Sequence, residues 1–232
     1  MVAVGSAETA SGGEYPVAES WKLVDPTGAR FLVDCVTSLG GMPVTMDAWG
    51  ADALYSGTQK CLSCPPGLAP LSFSDRAVEK LKNRKSKVPN WYLDLSMIIQ
   101  YWEGQSRAYH HTAPINMIYA LYAALDRVLG EGLENVHARH RAMHDQLVKG
   151  LESLGLSMYV QKESRLPMLN AVSLPQGIDD AGIRGRLLRE FAIEIGGGLG
   201  PLAGKIWRIG LMGHTARQEN IATLLNALKA CL

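Results

Sequence analysis

The first part of the chain consists of short apolar runs separated by turn residues. Four of these runs, at residues 1–4, 31–36, 53–55 and 68–73, are predicted to be strands. In the second of them Phe31, Leu32 and Val33 form a continuous apolar run without polar alternation, which is typical of a strand buried on both faces. The pattern therefore predicts a mainly parallel sheet in this part of the chain.

Apolar residues at helical spacing come next. They predict one helix whose stripe runs from Ile115 to Leu129 and a second helix over residues 133–154. Strands are then predicted at 170–174, 192–196 and 206–211, with a helix at 180–191. A last helix is expected to begin at Thr215, because residues 215–218 fit a capping box. This alternation predicts a smaller α/β unit, so we expect a large domain at 1–130 and a small one at 131–232.

Composition and charge exclude several classes of function. The chain has 232 residues, of which 47% are hydrophobic and 19% charged, and this is typical of a soluble globular protein. The formal net charge of +1 gives no global attraction to nucleic acid or to a membrane. No apolar run approaches the roughly 20 residues of a membrane span. The basic stretch at 76–87 lacks interleaved aromatic residues and is interpreted as a solvated helix and loop.

Three features that suggest metal or phosphate sites are interpreted as structural. The pair Cys61 and Cys64 has no second pair to complete a zinc site, and four cysteines in all fit a reducing, intracellular compartment. Three histidines share a helix face without a carboxylate to complete a metal site: His137, His140 and His144. The glycine run at 196–200 is followed by a proline and opens no helix, as a phosphate loop would. We therefore expect no metal.

Two residues at strand ends carry candidate chemistry. Asp34 stands near the end of one predicted buried strand, and Lys60 follows the next strand. Because ligands collect beyond the carboxyl ends of parallel strands, both would reach the same rim of the sheet. A lysine amine can condense with an aldehyde, and a carboxylate can keep a ring nitrogen protonated. Taken singly, Asp34 fits a turn or cap residue better than a functional one, and Lys60 fits a surface lysine.

Two further features carry donors for anions. In the sequence from Tyr109 to Thr112, hydroxyl groups flank a histidine pair just before a predicted helix, and such groups can donate to a phosphate. Taken alone, an ordinary loop explains this segment better. Arg208 lies on a predicted strand, on the face opposite Trp207 and Ile209. A guanidinium on a rigid strand can bind a carboxylate with two parallel hydrogen bonds, although a solvent-facing arginine fits the same pattern.

Several collinear motifs together carry a family resemblance. They lie at residues 7–12, 33–41, 55–60, 65–67, 109–112, 197–201 and 208–211. In this order and spacing, the chain resembles the alanine–glyoxylate and serine–pyruvate aminotransferases, which are class V members of the type I pyridoxal-phosphate fold. The resemblance implies an α/β fold with an incomplete mixed or parallel central sheet and a smaller C-terminal α/β domain. It also implies pyridoxal 5'-phosphate as the cofactor.

The resemblance assigns roles to positions of this chain. Lys60 would hold the cofactor as a Schiff base and later move the proton from the substrate α-carbon, and Asp34 would hold the pyridine nitrogen. The remaining cofactor contacts would come from Val36 against the ring, Thr9 near the ring hydroxyl and Gln59 at the phosphate. Tyr109 and Thr112 would reach the phosphate of a neighbouring subunit, which implies a homodimer. Arg208 would bind the substrate carboxylate.

Members of this family carry a large N-terminal part before the segment where this chain starts, so the chain is expected to be N-terminally truncated. The implied reaction is transamination between alanine or serine and glyoxylate or pyruvate. The alternative is an impaired fragment or short form that acts only in binding or dimerisation. Cysteine desulfuration or aminoethylphosphonate transamination is a third option, disfavoured because no cysteine occupies an obvious catalytic position. A peroxisomal, mitochondrial or cytoplasmic location stays open.

Overall fold

A computed structural model describes residues 1–103 and 108–232, and within them the chain forms ten strands and seven α-helices. The strands are β1 (Val2–Gly5), β2 (Ala7–Glu8), β3 (Gly13–Glu14), β4 (Phe31–Asp34), β5 (Ala53–Tyr55), β6 (Leu71–Phe73), β7 (Ser157–Met158), β8 (Leu169–Ser173), β9 (Gly196–Gly197) and β10 (Ile206–Gly210). The helices are α1 (Val17–Val24), α2 (Asp75–Lys82), α3 (Leu95–Glu103), α4 (Ile115–Glu131), α5 (Leu133–Ser153), α6 (Asp180–Phe191) and α7 (Gln218–Cys231).

The first sheet has the order β1-β4-β5-β6. The first three of these strands are parallel, and β6 pairs antiparallel to β5, so the predicted mixed sheet is confirmed. Phe31 and Val33 are fully buried in the core of this sheet, as the continuous apolar run predicted. The register sets Gly5 opposite Asp34 and Asp34 opposite Tyr55. Three adjacent strands therefore end side by side at one rim.

An ion pair between a buried carboxylate and a partly exposed arginine fixes the opposite rim of the same sheet. Asp52 is almost fully buried and accepts two hydrogen bonds from the Arg76 guanidinium, at 2.7 and 2.6 Å, and one from the Phe31 N–H at 2.8 Å. Burial alone would raise the pKa of this carboxyl group, but the bonds from Arg76 and Phe31 outweigh it and lower the pKa. The carboxylate thus ties the starts of β4 and β5 to α2.

The second sheet has the order β7-β8-β10-β9 and is antiparallel throughout. Its core packs against α5, α6 and α7, and Trp207 lies fully buried at its centre. The indole N–H of Trp207 donates to Asp180 at the start of α6, at 2.9 Å, so this buried polar atom keeps a partner. The smaller C-terminal α/β unit is confirmed, whereas the boundary expected after residue 130 stays a prediction.

A short hairpin, β2 and β3, joins the two sheets. Gly12 lies in its turn with a φ of +77°, and a Cβ there would lie 3.1 Å from the Leu169 carbonyl oxygen and 3.2 Å from the Ala171 side chain. The Gly12 carbonyl also accepts from the N–H of Leu166 at 3.1 Å. Only glycine combines this backbone conformation with so close an approach, so the hairpin is pressed onto β8.

Several predicted element boundaries were wrong: the strands predicted at 68–73 and 31–36 are shortened to Leu71–Phe73 and Phe31–Asp34, and two further boundaries have a local cause. The last helix begins at Gln218, because Thr215 closes a short 3₁₀ turn in which its hydroxyl bonds the backbone of Met212. The strand predicted at 192–196 is reduced to β9, since Ala192 adopts a left-handed conformation that ends α6. In both places, a local turn satisfied backbone groups that the sequence pattern had assigned to a longer element.

The apolar stripe of α4 faces outward. The helix was predicted correctly, but its six stripe residues are between 38 and 74% exposed. They are Ile115, Ile118, Tyr119, Tyr122, Leu125 and Leu129. A contiguous exposed apolar surface of this kind marks a contact surface. None of the helices in the described part of the chain combines the length and hydrophobicity of a membrane span.

Two histidines of α5 are part of the core. His140 is fully buried, with Nδ1 2.7 Å from the Val136 carbonyl oxygen, and its Nε2 accepts from the Gly213 N–H at 2.9 Å. Since Nε2 accepts and Nδ1 faces a carbonyl, the ring is neutral with its proton on Nδ1. His144 is also buried, and its Nδ1 lies 2.6 Å from Oδ1 of Asn170. Burial lowers the pKa of both side chains.

We predict that the protein loses stability as the pH falls below about 6.5. The unfolded chain takes up protons on these histidines near their ordinary pKa, whereas the folded chain resists protonation until lower pH. Each histidine therefore reduces the free energy of unfolding by at most about 1.4 kcal/mol per pH unit in this window. Urea unfolding at pH 7.5, 6.5 and 5.5 measures the slope. His144→Gln should remove one contribution, and a pH-independent free energy of unfolding in the parent protein would contradict the prediction.

Candidate functional site

A cleft of about 380 Å³ opens at the carboxyl ends of β1, β4 and β5. Four of the predicted site residues line it: Thr9, Asp34, Val36 and Lys60. Their positions follow from the parallel register, because β4 ends at Asp34 and the chain beyond β5 returns Lys60 to the same rim. The volume is at the small end of the range of about 300–1,000 Å³ for ligand sites.

The carboxylate of Asp34 is held by two donors. Its Oδ1 accepts from the Val36 N–H at 2.8 Å, and its Oδ2 accepts from the Tyr55 hydroxyl at 2.6 Å. The hydrogen bond to Asp34, together with burial, raises the pKa of Tyr55 to about 12. Tyr55 therefore stays a hydroxyl donor at neutral pH and fixes the carboxylate without sharing its charge.

Sequence reasoning did not identify Tyr55 as part of the site. The available signal was its place at the end of a predicted strand beside the one that ends at Asp34. A parallel register aligned by strand ends would have made the two residues neighbours, and that is the register observed. Period and composition alone could not fix this alignment, because a slip by one residue turns every side chain to the opposite face.

Lys60 reaches the cleft from a loop with fixed geometry. The Ser56 hydroxyl donates to the Cys35 carbonyl at 2.9 Å, and the Thr58 hydroxyl donates to the Pro65 carbonyl at 2.8 Å. Among the residues that the structure describes, no carboxylate lies within 4 Å of the Lys60 amine. The amine thus borders the cleft without a salt bridge that would occupy it, as a nucleophilic amine requires.

Arg208 lies beside the cleft and contacts its lining. The Nε of this residue donates to the Gly197 carbonyl at 2.8 Å, and Nη1 donates to the Thr9 carbonyl at 3.2 Å. Within the described chain, its Nη2 has no hydrogen-bond partner. Two backbone carbonyls therefore orient the guanidinium, and N–H groups remain to bind a carboxylate. Within the glycine run at 196–200, Gly197 is the residue that accepts this hydrogen bond from Arg208.

Three predicted site residues lie away from this cleft. Gln59 is exposed and is not part of the cleft lining. The hydroxyls of Tyr109 and Thr112 bond each other at 2.5 Å, and Tyr109 is 65% exposed. The backbone between them is anchored by His110, whose ring stacks on Trp91 with 4.3 Å between centroids. Their assignment to a phosphate stays a prediction, which the contacts within one chain do not test.

The features interpreted as structural are integrated into the fold. The cysteines Cys61 and Cys64 are buried free thiols. Two of the three α5 histidines have hydrogen-bond partners in the core, as described above. Across residues 1–103 and 108–232, histidine, cysteine and carboxylate side chains nowhere gather in threes or more as metal ligands would.

The donor set of the cleft suits one kind of ligand. An ionised carboxylate stabilises a protonated ring nitrogen, and a primary amine at the same rim can condense with a carbonyl carbon. A guanidinium beside them can hold a second, anionic molecule. A heteroaromatic aldehyde and a small carboxylic acid fit this combination better than a metal or a nucleotide does.

Comparison with known proteins also identifies the chain as a relative of aminotransferases. The family model described as aminotransferase class-V matches residues 1–221. Alanine–glyoxylate aminotransferase of Callithrix jacchus is 42% identical over 228 residues, which cover 97% of this chain and 55% of that protein. (S)-ureidoglycine–glyoxylate transaminase of Bacillus subtilis is 37% identical over 250 aligned positions, covering 100% of this chain and 60% of that protein.

Solved structures match nearly the whole of this chain in three dimensions. Alanine–glyoxylate aminotransferase from Nostoc sp. superposes with a TM-score of 0.95 at 49% identity, covering 99% of this chain and 60% of that chain. Ureidoglycine–glyoxylate aminotransferase from Bacillus subtilis gives a TM-score of 0.96 at 39% identity, covering 99% and 59%. The chain thus spans somewhat more than half the length of the relatives it matches. These matches confirm the predicted fold and the pyridoxal-phosphate cofactor of the family, and the chain belongs to the class V aminotransferases.

Proposed function

We propose that this chain carries the catalytic core of a pyridoxal-phosphate-dependent transaminase that uses alanine or serine as amino donor and glyoxylate or pyruvate as acceptor. The observation that carries the proposal is the shared cleft of Lys60 and Asp34, with Arg208 at its edge. The names of the relatives from Callithrix jacchus and Nostoc sp. support glyoxylate as the acceptor.

Asp34 would bind the ring nitrogen of the cofactor. When bound, pyridoxal phosphate supplies an electron sink for the bond that breaks at the substrate α-carbon. The carboxylate keeps lone pairs for the ring N–H after accepting from Val36 and Tyr55, since an ionised carboxylate offers about four acceptor sites. Because Tyr55 remains protonated, it holds Asp34 in place without competing for the ring proton.

Lys60 would have two tasks at one atom. Its Nζ would hold the cofactor at the aldehyde carbon, and the amine would accept the proton from the substrate α-carbon. The absence of an ion pair within 4 Å in the described chain suits both tasks, because a carboxylate partner would hold the amine protonated. Val36 would pack against the ring, and Thr9 would face its hydroxyl.

Arg208 would select and orient the substrate. The free N–H groups at one end of its guanidinium can bind the α-carboxylate that donors and acceptors share. Its Nη1 is bonded to the Thr9 carbonyl, so a bound carboxylate would lie close to the cleft that holds Lys60. Fixed geometry of this kind orients the α-carbon toward the amine, which is how positioning lowers a barrier.

The phosphate would be bound by Gln59 and, across a dimer interface, by Tyr109 and Thr112 of a second copy. Two features support a homodimer. Tyr109 is largely exposed and bonded to Thr112, which presents both hydroxyls outward. The helix α4 follows directly and exposes the apolar stripe defined above. A second copy would bury that stripe and bring the hydroxyls to the neighbouring cleft.

A second candidate is a protein that binds or dimerises without catalysis. The chain spans about 55–60% of the relatives it matches, and the measured turnover of this chain tests that candidate. A third candidate is a different amino donor, since one relative is named for ureidoglycine. Assays with purified protein and added cofactor separate these candidates, with alanine, serine and ureidoglycine as donors and glyoxylate and pyruvate as acceptors.

We predict that the purified chain with added cofactor forms glycine from alanine and glyoxylate. Lys60→Ala should lower the rate by at least about 100-fold, because the proton at the α-carbon loses its acceptor. The matched control is Lys149→Ala, which removes an exposed lysine from α5 and should leave the rate unchanged. Amino-acid chromatography of the products measures both. An inactive parent protein that still binds cofactor would favour the non-catalytic alternative.

We also predict that Tyr55→Phe lowers kcat/KM by about tenfold, the size expected for loss of one hydrogen bond to a charged group. The substitution keeps the ring and removes only the donor to Asp34. Tyr159→Phe, at a half-exposed position in the second unit, is the matched control. Steady-state kinetics with alanine and glyoxylate compares the two. Equal kcat/KM values for Tyr55→Phe and the parent would show that the Asp34–Tyr55 bond is dispensable.

A further inference from the structure

The turn that follows Lys60 is docked onto a loop of the second unit. Within the turn, the Ser63 N–H donates to the Lys60 carbonyl at 3.0 Å, so the Lys60 peptide is part of the turn itself. Ser63 adopts a left-handed backbone conformation with a φ of +57°, which is uncommon for a residue other than glycine. The Ser63 hydroxyl then accepts from the His214 N–H at 2.7 Å.

The fit at this contact leaves no room for a side chain at position 213. Gly213 has a φ of +58°, and a Cβ there would collide with the Ser63 hydroxyl oxygen and come within 2.6 Å of the Cys61 carbonyl oxygen. The backbone of the loop therefore lies directly against the Ser63 hydroxyl and the Cys61 carbonyl of the turn. A displacement of the loop would therefore move the turn as well, because closely packed atoms have little room to adjust.

The same loop is held from its other side by α5. His140 accepts from the Gly213 N–H at 2.9 Å through the neutral tautomer described above. Arg139 donates through Nη1 to the carbonyls of Gly213 and Ala216, at 2.8 and 3.2 Å, and its Nε and Nη2 bind the Glu131 carboxylate at 2.6 and 2.9 Å. The N–H and the carbonyl of Gly213 thus both have hydrogen-bond partners on α5.

The loop is also the direct continuation of the strand that carries Arg208. After β10 ends at Gly210, the Leu211 N–H bonds the Met168 carbonyl at 2.8 Å, and Gly213 follows. One end of this connection therefore carries the proposed carboxylate-binding residue. The other end contacts the turn of the proposed Schiff-base lysine.

We propose that Ser63 is a positioning residue, which fixes the Lys60 peptide against the Gly213–His214 loop and thereby sets the approach of the Lys60 amine to the substrate. The proposal rests on the proposed function, and it deepens it by naming a residue outside the cleft. His140 is its counterpart on the far side of the loop. Neither side chain lines the cleft, so both act through the backbone.

The effects on binding and on turnover should separate. Arg208 is oriented by the Gly197 and Thr9 carbonyls, and neither contact involves Ser63. Loss of the Ser63–His214 bond should therefore leave KM for glyoxylate unchanged. The amine of Lys60 would be less well placed, so kcat should fall by about tenfold, a modest misplacement on the scale of enzyme kinetics. The pH midpoint of the visible absorbance of bound cofactor should also shift.

Two substitutions of Ser63 distinguish the effect of losing the hydrogen bond from the effect of backbone strain. Ser63→Ala removes the acceptor and keeps the strained left-handed conformation, whereas Ser63→Gly removes the acceptor and relieves the strain. If the bond matters, both variants lower kcat and shift the absorbance midpoint. The control is Ser153→Ala, which removes a serine-to-carbonyl bond of 2.7 Å at the end of α5, remote from the turn.

The experiment measures kcat, KM, the absorbance titration and hydrogen–deuterium exchange of residues 60–64 and 213–214 in the full chain. The expected result is a lower kcat, an unchanged KM and faster exchange in both segments for both Ser63 variants. Parent-like kcat and titration would overturn the proposal, as would an effect confined to Ser63→Ala. If the parent protein binds no cofactor, the proposed function fails. Hydrogen–deuterium exchange then tests the docked turn by itself, and unchanged exchange in the Ser63 variants would overturn it.

Discussion

The parallel alignment of β4 and β5 is the constraint on which the rest of the site depends. Because the two strands run side by side with Asp34 opposite Tyr55, they end at the same rim. The ends are fixed there by hydrogen bonds from Tyr55 to the Asp34 carboxylate and from the Ser6 hydroxyl to the Asp34 carbonyl, at 2.6 and 2.9 Å. At the opposite rim, the buried Asp52 carboxylate binds the partly exposed Arg76 and holds the strand starts, so a slip in register would separate a buried charge from its partner.

The second unit completes the site through three contacts with the first. The hairpin at Gly12 packs on β8, the Arg208 guanidinium bonds the Thr9 carbonyl, and the turn at Ser63 bonds the His214 N–H. All three end on backbone atoms. The proposed carboxylate-binding residue is therefore placed by main-chain geometry.

Much of the fold could be predicted from the sequence, since continuous and periodic apolar runs predicted the mixed sheet, the long helices and the smaller C-terminal unit. Asp34 and Lys60 could be placed together because strand ends in a parallel sheet share a rim. Tyr55 could not, because its partnership depends on register. The turn at Thr215 and the left-handed Ala192 follow from local backbone bonding that competes with periodicity. The stripe of α4 was periodic, but periodicity does not say what covers it.

Lys60 is proposed to be the amine that bonds the cofactor, with Asp34 beside it. Reduction of the protein with borohydride after addition of pyridoxal phosphate, followed by digestion and peptide mass spectrometry, tests this claim most directly. We expect one reduced adduct, on the peptide that contains Lys60, with much less of it in Asp34→Asn at limiting cofactor. Adducts spread over exposed lysines such as Lys149, or none on the Lys60 peptide, would contradict it.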